Sequence, residues 1–434
     1  MIGPTNAMGG GGQLKAAIIV TAPTGSVVTI SSGSKTKTAT EKNGTWTFQR
    51  LDFGSWVVTA TKGGETATET IEVSDINVYR VTLAYVHILG IKRDITNASP
   101  AWERTDEAVG MTATASVGTV AGHSDFDTAY PWNGITRETL STGDVMVKIP
   151  KFWYRRYREG NVEHIQIADK AAVGFSLHPA FNHGGVEKEC VYVGAYKTSS
   201  GAKSVSGVAP EGNKTRASMR NGAKGKGTGW GLIDISAVSA IQMLILVEFA
   251  NNNVQSVIGR GRCDGNSSTC NTGTCDSVGG LTGRPAGTDG KIDVVWRGIE
   301  GFWGNIREWT DGINVSGGSY YVCNNPADYA DGTTTNYTAL SYKGSTSWNN
   351  AYITQNGLDT GDNPHVILPA DAGGSGSGTT YECDFCSGGT GSRTLARGGA
   401  YAEGEGCGFF MIRFSTDSST TATNFGSRLM YIPS

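Results

Sequence analysis

Glycine interrupts this chain throughout its length, and it does so without any period. It supplies 62 of the 434 residues, whereas proline supplies only 12, and the usual share of glycine in a protein is ~7%. The chain also carries 10 Trp, 16 Tyr and 13 Phe, which are too many for a disordered or collagen-like protein. Glycine turns between aromatic, Thr and Val segments therefore predict a mainly β protein with many loops. The length predicts two or three domains.

The charge of the chain gives little attraction to polyanions. A net charge of -3 provides no general affinity for nucleic acid or an anionic membrane. The only dense basic run is KFWYRRYREG, in which Arg155, Arg156 and Arg158 alternate with Tyr154 and Tyr157. Such residues suit a groove for single-stranded nucleic acid, but an exposed strand face beside a turn explains them as well. We favour the strand face and predict no nucleic-acid partner and no membrane partner.

The start of the chain carries no recognisable export signal. The segment MIGPTNAMGGGGQ lacks both a charged n-region and an apolar h-region. The longest apolar stretch, AIQMLILVEFA, is too short to span a bilayer. We therefore expect a soluble protein that is made without an export route.

Turn signals divide the first 86 residues into a leader and a small domain. Residues 1–14 are glycine-rich and predict a flexible or partner-bound leader. Residues 15–86 alternate short strands with turns, and Asn43-Gly44 is typical of a type I′ hairpin turn. Trp46 and Phe48 alternate with Thr, as on a strand with one buried face. We predict a small antiparallel β-sandwich.

The remaining residues, 87–434, form one larger region without a second change of composition. Glu159-Gly160-Asn161 predicts a hairpin turn within it. Apolar residues repeat at three- to four-residue spacing after Asp234 in GLIDISAVSAIQMLILVEFANN, which predicts a buried helix with Asp234 as N-cap. We also expect a short helix over Trp102–Ala108, and loops and short strands from Gly259 to Ser434.

No catalytic constellation emerges from the motifs. NGAKGKGTGWG lacks the phosphate-loop spacing, and neither a nucleophile elbow nor H-E-x-x-H occurs. His178 and His183 could bind a metal together, although hydrogen bonding within their loop is the interpretation that we favour. The loop NNPADYADGTTTN could offer oxygen ligands to calcium, but the EF-hand spacing is missing. The sequence thus argues against an enzyme and requires no cofactor.

The eight cysteines leave several possibilities open. Four disulfides are possible, in any of 105 pairings. Cys383-Asp-Phe-Cys386 has the spacing of zinc ligands, yet no second such pair follows it. We favour free or loop-stapling cysteines. The cysteines are Cys190, Cys263, Cys270, Cys275, Cys323, Cys383, Cys386 and Cys407.

Three segments, GFWGNIREWTDG, LARGGAY and GSRLMYIP, change the interpretation. They resemble, in sequence and in order, the motifs of C-type-lectin-fold proteins of the formylglycine-generating-enzyme type. The expected fold class is therefore mainly β with an α+β C-terminal part: a small antiparallel β-sandwich followed by a C-type-lectin-type domain. Arg397 and Arg428 can hold loops by bidentate hydrogen bonds to a carboxylate such as Glu308. The structural framework comprises Trp303, Trp309, Arg397, Gly398, Gly399 and Arg428.

The last segment, residues 395–434, is similar to the end of variable proteins diversified by retroelements, such as phage tropism determinants. Framework glycines and arginines there alternate with small or assorted residues. The resemblance implies that the residues between framework positions project to solvent and contact a ligand. The implied contact residues are Ala400, Tyr401, Ala402, Glu403, Glu405, Met411, Arg413, Ser415, Thr416, Thr420, Ala422 and Thr423.

Two further resemblances concern the setting of the protein. TEKNGTWTFQRLDFGSWVVTATKGG resembles the Ig-like or carboxypeptidase-regulatory modules that serve as spacers. VMVKIPKFWYR and GFSLHPAF resemble tail-tip proteins of phages that infect gut bacteria. Together these resemblances imply a receptor-binding protein of the virion, at the phage tail tip, assembled in the cytoplasm of the host bacterium.

The expected partners follow from the same resemblances. They are a protein or glycan receptor on a bacterial surface, other tail or fibre proteins through the N-terminal region, and two further copies in a homotrimer. One alternative is a surface adhesin encoded by a bacterium or a prophage. Another is a formylglycine-generating-type oxidase, which requires a pair of thiolates near the C-terminus for copper. The final segment holds only Cys407, and the sequence does not identify the receptor.

Overall fold

The computed structural model describes residues 15–433, and the chain divides into two units between His87 and Ile88. Strands hold 41% of the residues and helices 11%, so the prediction of a mainly β fold is confirmed. The predicted leader, residues 1–14, lies outside the described residues.

The first unit consists of seven strands in two sheets. The strands are β1 (Ala16–Thr21), β2 (Val27–Ser32), β3 (Lys35–Thr38), β4 (Thr45–Leu51), β5 (Gly54–Lys62), β6 (Glu65–Val73) and β7 (Val78–Thr82). One sheet has the order β4-β1-β7 and the other the order β3-β2-β5-β6. Buried side chains from both sheets form one core. The strand pairs of this unit are antiparallel, as the sequence predicts, except that β1 and β7 pair in parallel.

The Asn43-Gly44 turn forms where the sequence predicts it. Asn43 has φ 51° and Gly44 has φ 70°, and this left-handed backbone favours Asn and Gly. The turn leads the chain into β4, where Trp46 and Phe48 are buried while Thr47 between them is exposed. The alternation of apolar and polar residues therefore identified the core face of this strand.

The second unit contains the other strands of the described residues and three α-helices. The strands up to residue 200 are β8 (Ile88–Asp94), β9 (Glu103–Asp106), β10 (Ala113–Thr114), β11 (Ser116–Val117), β12 (His123–Ser124), β13 (Thr136–Thr139), β14 (Val145–Pro150), β15 (Trp153–Glu159), β16 (Val162–Ala168), β17 (Ser176–Leu177), β18 (Asn182–His183), β19 (Val186–Glu187) and β20 (Cys190–Lys197). The helices are α1 (Arg216–Lys224), α2 (Ile235–Phe249) and α3 (Val254–Val257).

The later strands are mostly short and lie between long loops. They are β21 (Trp230–Leu232), β22 (Gly283–Arg284), β23 (Val295–Trp296), β24 (Ile299–Glu300), β25 (Arg307–Ser316), β26 (Ser319–Val322), β27 (Thr338–Lys343), β28 (Ala351–Asn356), β29 (Pro369–Ala372), β30 (Phe385–Ser387), β31 (Ser392–Arg397), β32 (Ile412–Thr416), β33 (Phe425–Gly426) and β34 (Arg428–Tyr431). Single 3-10 turns occur at Asp125–Thr128, Trp132–Gly134, Pro179–Phe181, Pro326–Asp328 and Gly404–Gly406.

Three large sheets organise the second unit. The largest runs in the order β27-β26-β25-β31-β32-β30-β28-β29, with β33 paired to β25. A second sheet has the order β13-β14-β20-β34-β21, and a third has the order β17-β15-β16-β8-β9. The last strand, β34, therefore lies inside a sheet, between β20 and β21, and is held by a partner on each side.

Helix α2 is buried on every side, as its apolar composition predicts. All fifteen of its residues are buried, and it packs against β8, β16 and β25. The Asp234 side chain caps its start by accepting a hydrogen bond from the Ala237 N–H at 2.8 Å, so the predicted N-cap is confirmed. No helix within residues 15–433 is long and apolar enough to cross a membrane.

The expected helix at Trp102–Ala108 was wrong, because this segment forms strand β9. β9 pairs with the edge of β8, with Arg104 opposite Ile91. Arg104 also donates hydrogen bonds of 2.6 Å to the carbonyl oxygens of Val247 and Glu248. These carbonyls end α2 and lack partners within the helix. The tertiary partners of the segment thus outweigh its local helix propensity.

The basic run near residue 155 is largely neutralised within its own hairpin. β15 and β16 pair with Glu159 opposite Val162, so the predicted hairpin turn is confirmed. Both Arg156 and Arg158 form ion pairs with Glu163. Only Arg155 of the three arginines is exposed. The run therefore does not form a continuous basic surface.

One carboxylate in the core holds three cations. Glu308, on β25, is fully buried. It accepts hydrogen bonds from Arg428 Nε at 2.9 Å, from Lys197 Nζ at 3.0 Å and from an Nη of Arg397. Burial raises the pKa of Glu308, but the three cations outweigh burial and lower it to about 2. Because β25 and β31 belong to the largest sheet and β20 and β34 to the second, this Glu308 cluster joins the two sheets.

Replacing Glu308 by Gln should destabilise the second unit, because three cations would stay buried without their carboxylate. The expected loss is about 3–5 kcal/mol in the free energy of unfolding, measured by urea denaturation of the full chain with tryptophan fluorescence. Glu103→Gln is the matched control, since it breaks an exposed pair with Lys92 of 3.2 Å that should contribute less than about 1 kcal/mol. Equal losses in the two variants would contradict the role of the Glu308 cluster.

Candidate ligand-contact face

The framework residues of the C-terminal segment all lie in the interior. Trp303, Trp309, Arg397, Gly398, Gly399 and Arg428 are buried. Gly399 has φ +71°, and a Cβ atom there would lie 2.5 Å from the Cys407 sulfur. Gly398, with φ +82°, donates its N–H to the Met411 carbonyl at 2.9 Å. Two glycines are therefore required where the chain leaves β31 and turns closely over the following loop.

The twelve predicted contact residues divide into ten that reach solvent and two that do not. The ten that are exposed or partly exposed are Tyr401, Ala402, Glu403, Glu405, Arg413, Ser415, Thr416, Thr420, Ala422 and Thr423. Ala400 and Met411 were predicted wrongly, since they are 2% and 0% exposed. Residues 406–412 pass through the interior without an exposed position, and the Ala400 N–H is held by Glu403 Oε2 at 2.8 Å.

Five of the ten residues come from two adjoining pieces of chain. Tyr401, Ala402 and Glu403 lie on the loop after β31, and Arg413 and Ser415 alternate along β32. Arg413 Nη2 lies 3.3 Å from Glu403 Oε1, and Arg413 Nη1 donates to the Ser415 hydroxyl at 3.5 Å. We call the surface carried by these five residues the contact face.

The backbone under the contact face is tightly held. The Tyr401 N–H donates to the Asn305 carbonyl at 3.0 Å, and the Tyr401 carbonyl accepts the Asn266 N–H at 3.0 Å. Glu403 also forms an ion pair with Arg307, on β25. The main-chain bonds hold the loop at Tyr401, and the ion pair of Glu403 holds it to β25. A change of the Tyr401 side chain therefore need not alter the path of the loop.

Within residues 15–433, no hydrogen bond or ion pair links the contact face to the remaining predicted residues, which are Glu405, Thr416, Thr420, Ala422 and Thr423. Glu405 accepts a hydrogen bond from the Tyr352 hydroxyl at 2.8 Å. Thr420, Ala422 and Thr423 belong to the loop after β32, where the Ala422 carbonyl accepts the Asn213 N–H at 2.9 Å. Thr416 is the last residue of β32, and Glu405 follows Glu403 on the same loop, so the predicted set extends from the contact face along these two pieces of chain and into the loop after β32.

Sequence reasoning missed three residues beside the contact face. Asn350 is exposed, and its Oδ1 accepts hydrogen bonds from Arg413 at 3.2 Å and from Ser387 at 2.9 Å. Tyr352 and Phe385 are partly exposed, with ring centroids 4.3 Å apart. They come from β28 and β30, which continue the sheet beyond β32. Phe385 lies between Cys383 and Cys386, but no sequence signal places any of the three residues beside β32, so only the sheet order reveals them.

His178 and His183 form hydrogen bonds within their own loop, as the sequence predicts. His178 Nδ1 accepts the Ala180 N–H at 3.2 Å, and His183 Nε2 bonds the Ala180 carbonyl at 2.8 Å. Both side chains are buried, and burial together with His365 lowers the pKa of His178 well below its usual value. These histidines shape the turn around Pro179–Phe181.

The Asp-rich loop that suggested calcium uses its carboxylates internally. Asp331 pairs with Arg216 and Arg220 of α1. The two oxygens of Asp328 accept hydrogen bonds from the amides of Asn325, at 2.6 Å, and Asn336, at 3.0 Å. A calcium ion would have to displace these partners. The geometry therefore favours a structural role for the loop, which lines a polar cleft of about 450 Å³.

All eight cysteines are free thiols in the structure. Cys263 and Cys407 lie side by side although they are distant in the sequence, and burial raises the pKa of both thiols. Burial likewise raises the pKa of Cys383 and Cys386. Protonated, buried thiols are poor nucleophiles.

We expect all eight thiols to titrate with Ellman's reagent in denaturant without a reductant, and most of them to react slowly in the folded protein. The physical reason is that Cys270 alone among them is partly exposed. Fewer than eight titratable thiols after unfolding would show that a disulfide forms. Rapid reaction of Cys407 in the folded protein would contradict its burial.

Neither a protein-family model nor a curated protein matches the chain.

Proposed function

We propose that the protein is a receptor-binding protein of a phage tail tip, which adheres to a bacterial surface through the contact face and its flanking loops. The observation that carries the proposal is the separation of roles within residues 395–434. Framework residues are fully buried, while their close neighbours in sequence reach solvent on a backbone held by main-chain bonds. Such a surface can change its side chains without changing its fold.

The contact face suits adhesion rather than turnover. It presents Tyr401, Glu403 and Arg413 together with small residues. His178, His183 and Cys407 are buried and are not part of this surface. Tyrosine and arginine are common anchors of protein interfaces. Because there are few such anchors, one site should bind weakly, and several copies on one particle would raise the avidity by ~10²–10⁴.

The C-type-lectin-type architecture, the homotrimer and the attachment to other tail proteins through the N-terminal region belong to the same proposal. The motifs GFWGNIREWTDG, LARGGAY and GSRLMYIP support it, together with the Glu308 cluster that links all three of them. A surface adhesin encoded by a bacterium or a prophage would use the same face. The genes that flank the coding sequence would distinguish a tail protein from such an adhesin.

Replacing Tyr401 by Ala should remove most of the attachment to a bacterial strain that binds the labelled wild-type protein, with an affinity loss of about 30-fold or more if Tyr401 is an anchor. Flow cytometry of labelled cells measures the loss. Tyr321→Ala is the matched control, because Tyr321 is also partly exposed but lies on β26, three strands away from β32 in the same sheet. Attachment of the Tyr401 variant at the wild-type level would refute the contact face.

Population sequencing of the 3′ end of the gene tests whether the segment is diversified. We expect amino-acid changes at exposed positions such as Tyr401, Ala402, Ser415 and Thr423, since a change there leaves the core intact. The buried Ala400 and Met411 should stay constant, as should the six framework residues. Changes spread evenly over buried and exposed positions, or absent from both, would contradict a diversified surface.

A further inference from the structure

Two guanidinium groups converge on one carboxylate at the contact face. Arg307, from β25, and Arg413, from β32, both form ion pairs with Glu403. Glu403 is already occupied by the Ala400 N–H on its other oxygen. One negative charge therefore faces two positive charges, and the group of three, which we call the Glu403 cluster, keeps a net charge of about +1.

Hydrogen-bond donors in the Glu403 cluster also outnumber acceptors. The Nε atoms of Arg307 and Arg413 are buried and have no acceptor among the described residues. Within residues 15–433, no backbone carbonyl accepts an N–H from either side chain. Arg413 has two further partners, the neutral oxygens of Ser415 and Asn350. Unpaired buried donors are uncommon in folded proteins, although the Nε atoms of Arg93 and Arg397 are unpaired in the same way.

Another arginine pair of the second unit has balanced charges. Arg216 and Arg220 on α1 face two carboxylates, Asp311 and Asp331, so the charges there are balanced. Burial lowers the pKa of Arg413, and repulsion from Arg307 lowers it further. A second anion beside Arg413 would relieve that repulsion.

The Glu403 cluster is also accessible. The Arg307 side chain is 7% exposed and forms the back of the cluster, whereas the Arg413 side chain is 22% exposed. Asn350 is exposed beside it, and Tyr401 and Ser415 lie on the same face. An oxyanion can thus approach Arg413 from solvent without a change of the fold. The positive charge of the more buried Arg307 adds to the electrostatic attraction.

We propose that the Glu403 cluster binds an oxyanion of the receptor, a carboxylate or a phosphate, with Arg413 as the contacting residue. The inference rests on the proposed function, and it adds that the bacterial receptor is anionic. Guanidinium groups recognise both carboxylates and phosphates by paired N–H donors. Two kinds of surface polymer supply this chemistry, an acidic polysaccharide and a phosphodiester polymer, and the experiment separates them.

The test is surface plasmon resonance of the full chain on immobilised polygalacturonate, poly(glycerol phosphate) and neutral dextran. We expect one of the two polyanions to bind the wild type and dextran not to bind it. The net charge of -3 makes unspecific attraction to polyanions a poor explanation of such binding. Arg413→Gln should weaken binding about tenfold or more, as for the loss of a charged hydrogen bond. Arg393→Gln, which removes the same charge on β31, should keep the wild-type affinity.

A second pair of variants tests the site without removing the arginine. Asn350→Asp places a carboxylate beside Arg413 to occupy the site from within, so it should lose binding while the fold persists. Asn349→Asp makes the same change of charge one residue away at another exposed position, and it should bind normally. Thermal unfolding of all four variants confirms that they are folded.

The inference is overturned if neither polyanion binds the wild type more tightly than dextran does. It is equally overturned if Arg413→Gln and Asn350→Asp bind as tightly as their two controls. Should this happen while Tyr401→Ala still abolishes attachment to cells, the anion site fails and the receptor-binding function stands. If Tyr401→Ala attaches normally, the proposed function fails independently of the polyanion result.

Discussion

The carboxylate of Glu308 occupies the point at which the three motifs GFWGNIREWTDG, LARGGAY and GSRLMYIP meet in space. Taking a carboxylate and three cations out of water carries a large desolvation cost, which only close pairing offsets. The surplus positive charge is met by main-chain carbonyls, those of Gly194 and Gly301 among them, which lie 2.7 and 2.9 Å from Arg428. Such an arrangement has few alternatives, since a shift of any one strand would leave a buried charge unpaired. The Glu308 cluster therefore specifies how the two sheets are placed rather than adding much net stability.

Because the interior is held in this way, the exposed side chains after β31 can change without a change of the fold. Strand β31 ends at Arg397, which is held by Glu308, and the very next residues turn through two glycines into the loop of the contact face. The path of that loop depends on main-chain bonds at Tyr401 and on the Glu403 side chain. Exposed side chains around them contribute little to folding, so they can vary without a change of the fold.

Local patterns predicted local structure well. The Asn43-Gly44 turn, the alternation in β4 and the Asp234 cap each depend on residues a few positions apart. The pairing of Arg397 and Arg428 with Glu308 was also predictable, because a buried arginine requires a carboxylate. The third cation, Lys197, carried no such signal, since its strand reads as an ordinary apolar run.

The failures share a physical cause, which is dependence on distant partners. The segment at Trp102–Ala108 became a strand because the edge of β8 and the end of α2 were available to it. Ala400 and Met411 resembled their exposed neighbours in composition, but the chain crosses the interior between residues 406 and 412. Asn350 and Tyr352 lie beside the contact face through sheet order alone. The clusters at Glu308 and Glu403 show the same dependence, because each joins several cations from distant strands to one carboxylate. At Glu308, main-chain carbonyls accept most of the remaining N–H groups and the cluster is buried, so the excess charge serves the fold. At Glu403, no main-chain carbonyl within residues 15–433 accepts from Arg307 or Arg413, and the Arg413 side chain is partly exposed, which is why we propose that this cluster binds an outside anion.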